Sequence, residues 1–217
     1  MKLNKIIATV VVILACVGSI HLARVYFGPH GRATLDPRIA NRSKGNPSAS
    51  VWVVEYMDYQ CPSCRLATKM LEAYFQAYPS KLYLQVRFHP LKQHPHGFES
   101  ALYAECAARQ NKFWKFHHLL FEHQDELKEE GVVADKFRRF AGETGLNFEK
   151  LDACVTNLLT KEAVSQENND SQTLGVNSTP TFFINGKMVV GSKPLLAELK
   201  TISPGFNYEL PEENHAR

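Results

Sequence analysis

Cys61-Pro62-Ser63-Cys64 places two cysteines three residues apart, directly after the strand-like run Val51-Trp52-Val53-Val54-Glu55-Tyr56-Met57 and at the start of an amphipathic helix. Two thiols at that spacing can close a small disulfide ring, or leave one thiolate free to attack another disulfide. The thiolate is the nucleophile, so one of the two must have a lowered pKa. A helix N-terminus supplies this through its free N–H groups and positive dipole end. Cys61 falls at the N-cap, and Pro62 at the first helical position, where a missing N–H costs nothing. Cys64, one turn in, is less exposed. These positions make Cys61 the nucleophile and Cys64 the resolving thiol. Structural zinc is the main competing chemistry, but it needs a second ligand pair, and neither another C-x-x-C nor an H-x₃₋₅-H stands at matching spacing. An inert structural disulfide comes third. No metal and no other cofactor is expected.

Two further positions bear on the pair. Glu55 lies six residues before Cys61 on a strand that should be buried, and a buried carboxylate is costly without a partner or a task. It is a candidate to shuttle a proton to or from Cys64 through water. A solvated or salt-bridged edge position is the equal alternative. Much later, Ser178-Thr179-Pro180-Thr181-Phe182-Phe183-Ile184 puts a threonine–proline step before an apolar strand. X–Pro bonds adopt cis at modest cost. A cis Thr179–Pro180 bond would set the Thr179 backbone beside the Cys61 sulfur, where it could pair with an extended substrate. A trans proline opening an edge strand is the plainer alternative.

The elements that must position these groups read as a split α/β core. Val51–Tyr56 and Leu82–Phe88 have strand character, with a helix over Arg65–Tyr78 between them, stopped by Pro79. From about His94 to Gly175 no strand pattern occurs. Helices are expected over Ala101–Asn111, Phe113–Gln124, Val133–Thr144 and Phe148–Leu174, with Asn147 as the last one's N-cap. Thr181–Ile184 and Met188–Val190 flank Asn185-Gly186, a strong tight-hairpin signal. A helix over Pro194–Ile202 and a polar tail follow. Phe113, Trp114, Phe116, Leu120 and Phe121 are expected mostly as core of the helical block, with part free to line a peptide-binding patch. His94 and His96 read as surface groups of a Pro-rich loop, and His117 and His118 as packing residues.

The 217 residues fit one domain with an insertion. The formal charge of +3 comes from Lys2, Lys5 and Arg24, since residues 1–30 hold no acid and the remainder has 22 basic and 22 acidic residues. A neutral body gives no electrostatic reason to expect nucleic acid. Ile6 to Ile20 carries no charge behind a short basic start, the pattern of an export signal. It falls slightly short of the ~20 residues that span a bilayer comfortably. An uncleaved membrane anchor is favoured over a cleaved signal or a lipoprotein signal cut before Cys16. Residues 1–27 are thus assigned as anchor or signal, 28–50 as a tether, 51–203 as the domain with its insertion at about 92–175, and 204–217 as a polar tail. Five cysteines including a reactive-looking pair suit an oxidising compartment.

Gly45-Asn46-Pro47, Val54 through Cys64, Ala104-Glu105-Cys106-Ala107 with Lys112-Phe113-Trp114, and Gly175 through Lys187 together resemble the DsbA-like branch of the thioredoxin superfamily. The resemblance spans about residues 45–203. It implies a thioredoxin fold with an inserted all-helical domain, exchange at the first cysteine of the pair, a cis-proline loop at Thr179–Pro180, and an extracytoplasmic location. Glu55 matches the family's buried acid. Pro-Ser between the cysteines departs from the Pro-His of the best-known oxidase, which leaves oxidising strength open. The isomerases' N-terminal dimerisation module has no counterpart in the sequence, which argues against an isomerase, and a monomer is expected. A disulfide between Cys106 and Cys154 is supported by the resemblance to some members, with free buried thiols as the alternative. The implied function is a thiol–disulfide oxidoreductase introducing disulfides into unfolded or cysteine-containing exported proteins, reoxidised by a quinone-coupled membrane partner. A thiol reductase, for example in cytochrome assembly, and a non-enzymatic metal-binding or holdase protein are the alternatives.

Overall fold

The structure is a computed structural model, and it describes residues 37–128 and 133–211. The anchor or signal segment, Cys16 and the end of the polar tail lie outside the described residues. Among those described, no helix is long and apolar enough to cross a membrane.

Five strands form one sheet in the order β1-β3-β2-β4-β5. They are β1 (Ser43–Gly45), β2 (Val51–Met57), β3 (Leu82–Phe88), β4 (Thr181–Ile184) and β5 (Lys187–Val190). β2 and β3 run parallel, while β1–β3, β2–β4 and β4–β5 are antiparallel. β2 is central, which accounts for its almost uninterrupted apolar sequence. Parallel pairing of β2 with β3 requires a crossover. Helix α1 (Pro62–Ala77) provides it, burying Cys64, Ala67, Met70, Leu71, Tyr74 and Phe75 along one side. Asn185 and Gly186 both take positive φ in the β4–β5 turn, as the tight hairpin requires.

Between β3 and β4 comes the helical insertion: α2 (Gly97–Ala108), α3 (Phe113–Glu122), a 3₁₀ turn (Gln124–Lys128), α4 (Ala134–Thr144), α5 (Phe148–Thr156) and α6 (Leu158–Thr173). Helix α7 (Ser192–Ile202) then packs beside α1. Phe113, Phe116, Leu120 and Phe121 are all buried, so they build the core and not a peptide patch. Cys106 on α2 and Cys154 on α5 are joined by a disulfide.

Three sequence expectations need correction. The single helix over Phe148–Leu174 is two helices, because Asn157 takes an extended conformation (φ −68°, ψ 125°) and its side chain accepts the Leu159 N–H at 2.8 Å. The apolar Leu158-Leu159 step disguised that cap. Replacing Asn157 with Ala should cost about 1 kcal/mol in a denaturant melt.

The tether is also shorter than expected. Pro37–Arg42 is a 3₁₀ helix and Ser43–Gly45 is an edge strand. Arg42 is buried, its guanidinium 4.2 Å above the Phe88 ring, 3.0 Å from Glu167 and 3.3 Å from Glu105. Two buried carboxylates without a cation would be strongly unfavourable, so this arginine fastens the segment to the insertion. At the other end, Phe206 is buried against Tyr74, so the packed domain continues past residue 203.

Candidate active site

Cys61 is the N-cap of α1, in extended conformation, with Pro62 at the first helical position. Its sulfur faces the loop before β4, where the Thr179–Pro180 peptide bond is cis and the Cys61 thiol donates to the Thr179 carbonyl at 3.3 Å. The two sequence-distant motifs therefore meet at one sulfur. Cys61 and Cys64 are both free thiols here. Cys64, one turn into α1, is fully buried.

The two thiols have been driven apart in acidity. Cys61 is lowered to about 6, first by a hydrogen bond from the Cys64 thiol, against desolvation, and then by the Thr179 side chain and the N–H groups of Cys64 and Ser63. Cys64 is pushed well above the ordinary thiol value by burial and by its neighbour's charge. The helix N-terminus thus contributes, but the second cysteine contributes more. Thr179 Oγ1 is buried without a hydrogen-bond partner. In the thiol state the sulfur donates to the carbonyl; once ionised it can accept from this hydroxyl.

Glu55 sits in mid-strand on β2, opposite Val86 and Phe182, and is 1% exposed. The solvated-edge alternative is therefore excluded. Its Oε1 has no partner, and burial, followed by the charge of Cys61, raises its pKa to about 8. Burial thus favours the protonated form of Glu55 at neutral pH, and when ionised its charge would raise the Cys64 pKa further.

The loop leading into Cys61 is pinned by residues that sequence reasoning passed over. Asp58 Oδ1 accepts from the Gln60 N–H and Oδ2 from the Leu91 N–H, each at 2.7 Å, and His94 Nδ1 lies 2.9 Å from Oδ2. His94 is therefore engaged with this loop and is not a bystander on the surface. At Gly97 a Cβ would come within 2.7 Å of Asp58 Oδ2, so the start of α2 needs glycine to approach this closely. Gln124 Nε2 donates to the carbonyls of Tyr59 (2.7 Å) and Cys61 (2.9 Å), while Gln60 Nε2 donates to Leu127. The 3₁₀ turn of the insertion thereby holds the main chain on either side of the nucleophile. Only the unusual burial of two glutamines could have signalled this. His117, by contrast, is buried and bonded to the Tyr59 hydroxyl at 3.1 Å, as a packing residue. Among the described residues no cluster of His, Cys, Asp and Glu suits a metal ion.

A cysteine of lowered pKa at a helix N-cap, a buried second thiol and an adjoining cis-proline loop make an arrangement suited to thiol–disulfide exchange. A thioredoxin family model matches residues 39–202. The fold is similar to a thioredoxin-like oxidoreductase from Silicibacter pomeroyi DSS-3, at 27% identity and TM-score 0.62, covering 79% of this chain and 95% of that one. It is also similar to oxidised BdbD from Bacillus subtilis, at 22% identity and TM-score 0.63, covering 75% and 93%. The chain belongs to the thioredoxin family. Among curated proteins, Na(+)/H(+) antiporter NhaA 1 of Mycobacterium sp. (strain KMS) is 33% identical over 174 residues, which is 79% of this chain but 27% of the antiporter. The chain thus spans about a quarter of the length of that relative, and ion transport is the named property of the longer protein.

Proposed function

We propose that this protein is an extracytoplasmic oxidant of protein thiols, introducing disulfides into cysteine-containing exported proteins. The observation that carries this is the unequal acidity of the pair: Cys61 is held as a thiolate near neutrality while Cys64 stays a neutral, buried thiol. Such an arrangement stabilises the reduced form and so favours transfer of the disulfide from the oxidised form. The Cys106–Cys154 disulfide supports an oxidising compartment.

In the forward reaction a substrate thiolate attacks Cys61 Sγ of the oxidised pair, and the Cys61–Cys64 bond breaks with Cys64 as leaving group. Glu55, protonated and close enough to act on Cys64, supplies its proton through water. The substrate's second thiolate then attacks its own sulfur in the mixed disulfide and expels Cys61 as the stabilised thiolate. The substrate loses two electrons and the pair gains them. A quinone-coupled membrane partner would remove those electrons, with the protein acting as a monomer held at the membrane by its N-terminal segment.

The acidity of Cys61 favours this direction by an amount that depends on pH. Its folded value is below the ordinary one, so the stabilisation is full above pH 9 and is lost as pH falls through 6. At pH 7, after allowing for solvent screening of the sulfur's open side, it is on the order of 1 kcal/mol, or about 20 mV. That is small beside the roughly 150 mV separating thioredoxin from DsbA, so the potential itself decides. Equilibration with glutathione buffers should give a midpoint less negative than about −200 mV; a value near −270 mV would make the protein a reductase.

A further inference from the structure

The exchange centre is closed by a hydrogen bond that neither motif contains. Ser63, between the two cysteines, donates its hydroxyl to Ser192 Oγ at 2.9 Å. Ser192 is the first residue of α7 and is buried. The residue before it, Gly191, takes φ +93°, a conformation that favours glycine, and donates its N–H to the Pro180 carbonyl at 2.8 Å. Pro180 in turn follows Thr179, whose carbonyl accepts from Cys61 Sγ. Three contacts therefore link the start of α1, the loop before β4 and the start of α7 into a ring: Cys61 to Thr179, Pro180 to Gly191, and Ser192 back to Ser63.

We propose that Ser192 is a positioning residue for the exchange reaction: by accepting the Ser63 hydroxyl it closes this ring and keeps Thr179 seated against the Cys61 sulfur. Ser192 has no competing task at its helix terminus, since the N-cap is Gly191 and no side-chain cap bond is made. The same bond holds the Ser63 hydroxyl on α7 and away from the sulfur. Of the groups around Cys61, the Thr179 hydroxyl is the buried donor without a partner, and its reach to the sulfur depends on where the loop lies. If Ser192 no longer holds Ser63, this ring opens and the Thr179 contact loosens.

The test is a thiolate-absorbance titration of the reduced protein and its Ser192→Ala, Ser63→Ala and double variants. Loss of one hydrogen bond's worth of positioning should raise the Cys61 midpoint by roughly 0.5–1 pH unit. The glutathione equilibrium constant at pH 7 should then move about two- to fivefold toward the oxidised pair. The double variant should match either single one, because all three break the same link. Ser192→Thr, which keeps the hydroxyl, should restore the original midpoint. The same variant guards against a trivial folding effect, since all variants are compared at matched near-ultraviolet spectra. An unchanged midpoint in Ser192→Ala, or additive shifts in the double variant, would overturn the proposal. So would a lowered midpoint, which would mean that freed Ser63 turns to the sulfur. The inference rests on the exchange reading of the site, but the titration needs no turnover. If the unmodified protein failed to exchange disulfides while the midpoint still moved with Ser192, the function would fall and the ring would stand.

Discussion

Cys61→Ser should lower disulfide transfer to a reduced, unfolded substrate by on the order of 10³-fold or more, because a serine hydroxyl has neither the ionisation nor the sulfur leaving group that exchange needs. Cys64→Ser should behave differently. It cannot hold the Cys61–Cys64 disulfide and so cannot oxidise a reduced substrate, but its Cys61 thiolate can still attack a substrate disulfide, expelling one substrate thiolate, and the resulting mixed disulfide, which no internal thiol resolves, should accumulate on a non-reducing gel. The two changes at position 64 also separate two roles of that residue. Its thiol is the largest contributor to the acidity of Cys61. Serine can still donate a hydrogen bond there, whereas alanine cannot. Cys64→Ala should therefore raise the Cys61 midpoint clearly more than Cys64→Ser does. Equal midpoints in the two variants would mean that the helix terminus, not the second thiol, sets the acidity.

The second large effect belongs to Glu55. Its folded pKa of about 8 lies above the ordinary carboxylate value of 4.5, so burial favours the protonated form. A group raised in this way contributes fully below pH 4.5, and its contribution is lost as pH rises through 8. Glu55→Gln removes that loss. Its stability relative to the unmodified protein should grow by about 3 kcal/mol between pH 5 and pH 8, whatever the constant cost of burying an amide. Denaturant melts at both pH values measure this directly. The kinetic counterpart is slower release of Cys64, with an altered pH–rate profile of exchange. A pH-independent stability difference would show that Glu55 is already ionised or solvated, and an unchanged pH–rate profile would remove it from proton transfer.

Much of this site could be read in the sequence because its chemistry is local. A cysteine, a proline and a second cysteine at the head of an amphipathic helix specify their own geometry, and Asn185-Gly186 specifies its own turn. The meeting of Thr179–Pro180 with Cys61 was expected from the threonine–proline step together with the family resemblance, whereas the β2–β4 pairing that carries it there is a finding of the structure. Other features depended on contacts between distant parts of the chain. Gln60 and Gln124 look like ordinary polar residues until the insertion folds back over the loop and the main-chain carbonyls there need donors. Glu55 was balanced between two environments because strand alternation does not say whether a strand is central or at an edge. Sheet order settled it. Asn157 was hidden by the opposite cause: two leucines after it continued an apolar rhythm that the cap interrupts.

The fastening of Arg42 between Glu105 and Glu167 also governs where this protein can be cut for expression. A gene trimmed to open at Val51 would discard the arginine together with the short edge strand beside β3. Glu105 would then keep Arg109, and Glu167 would keep, among the described residues, the more distant Arg87. A shortened version should begin upstream of Pro37, so that the folding unit retains its own counter-charge.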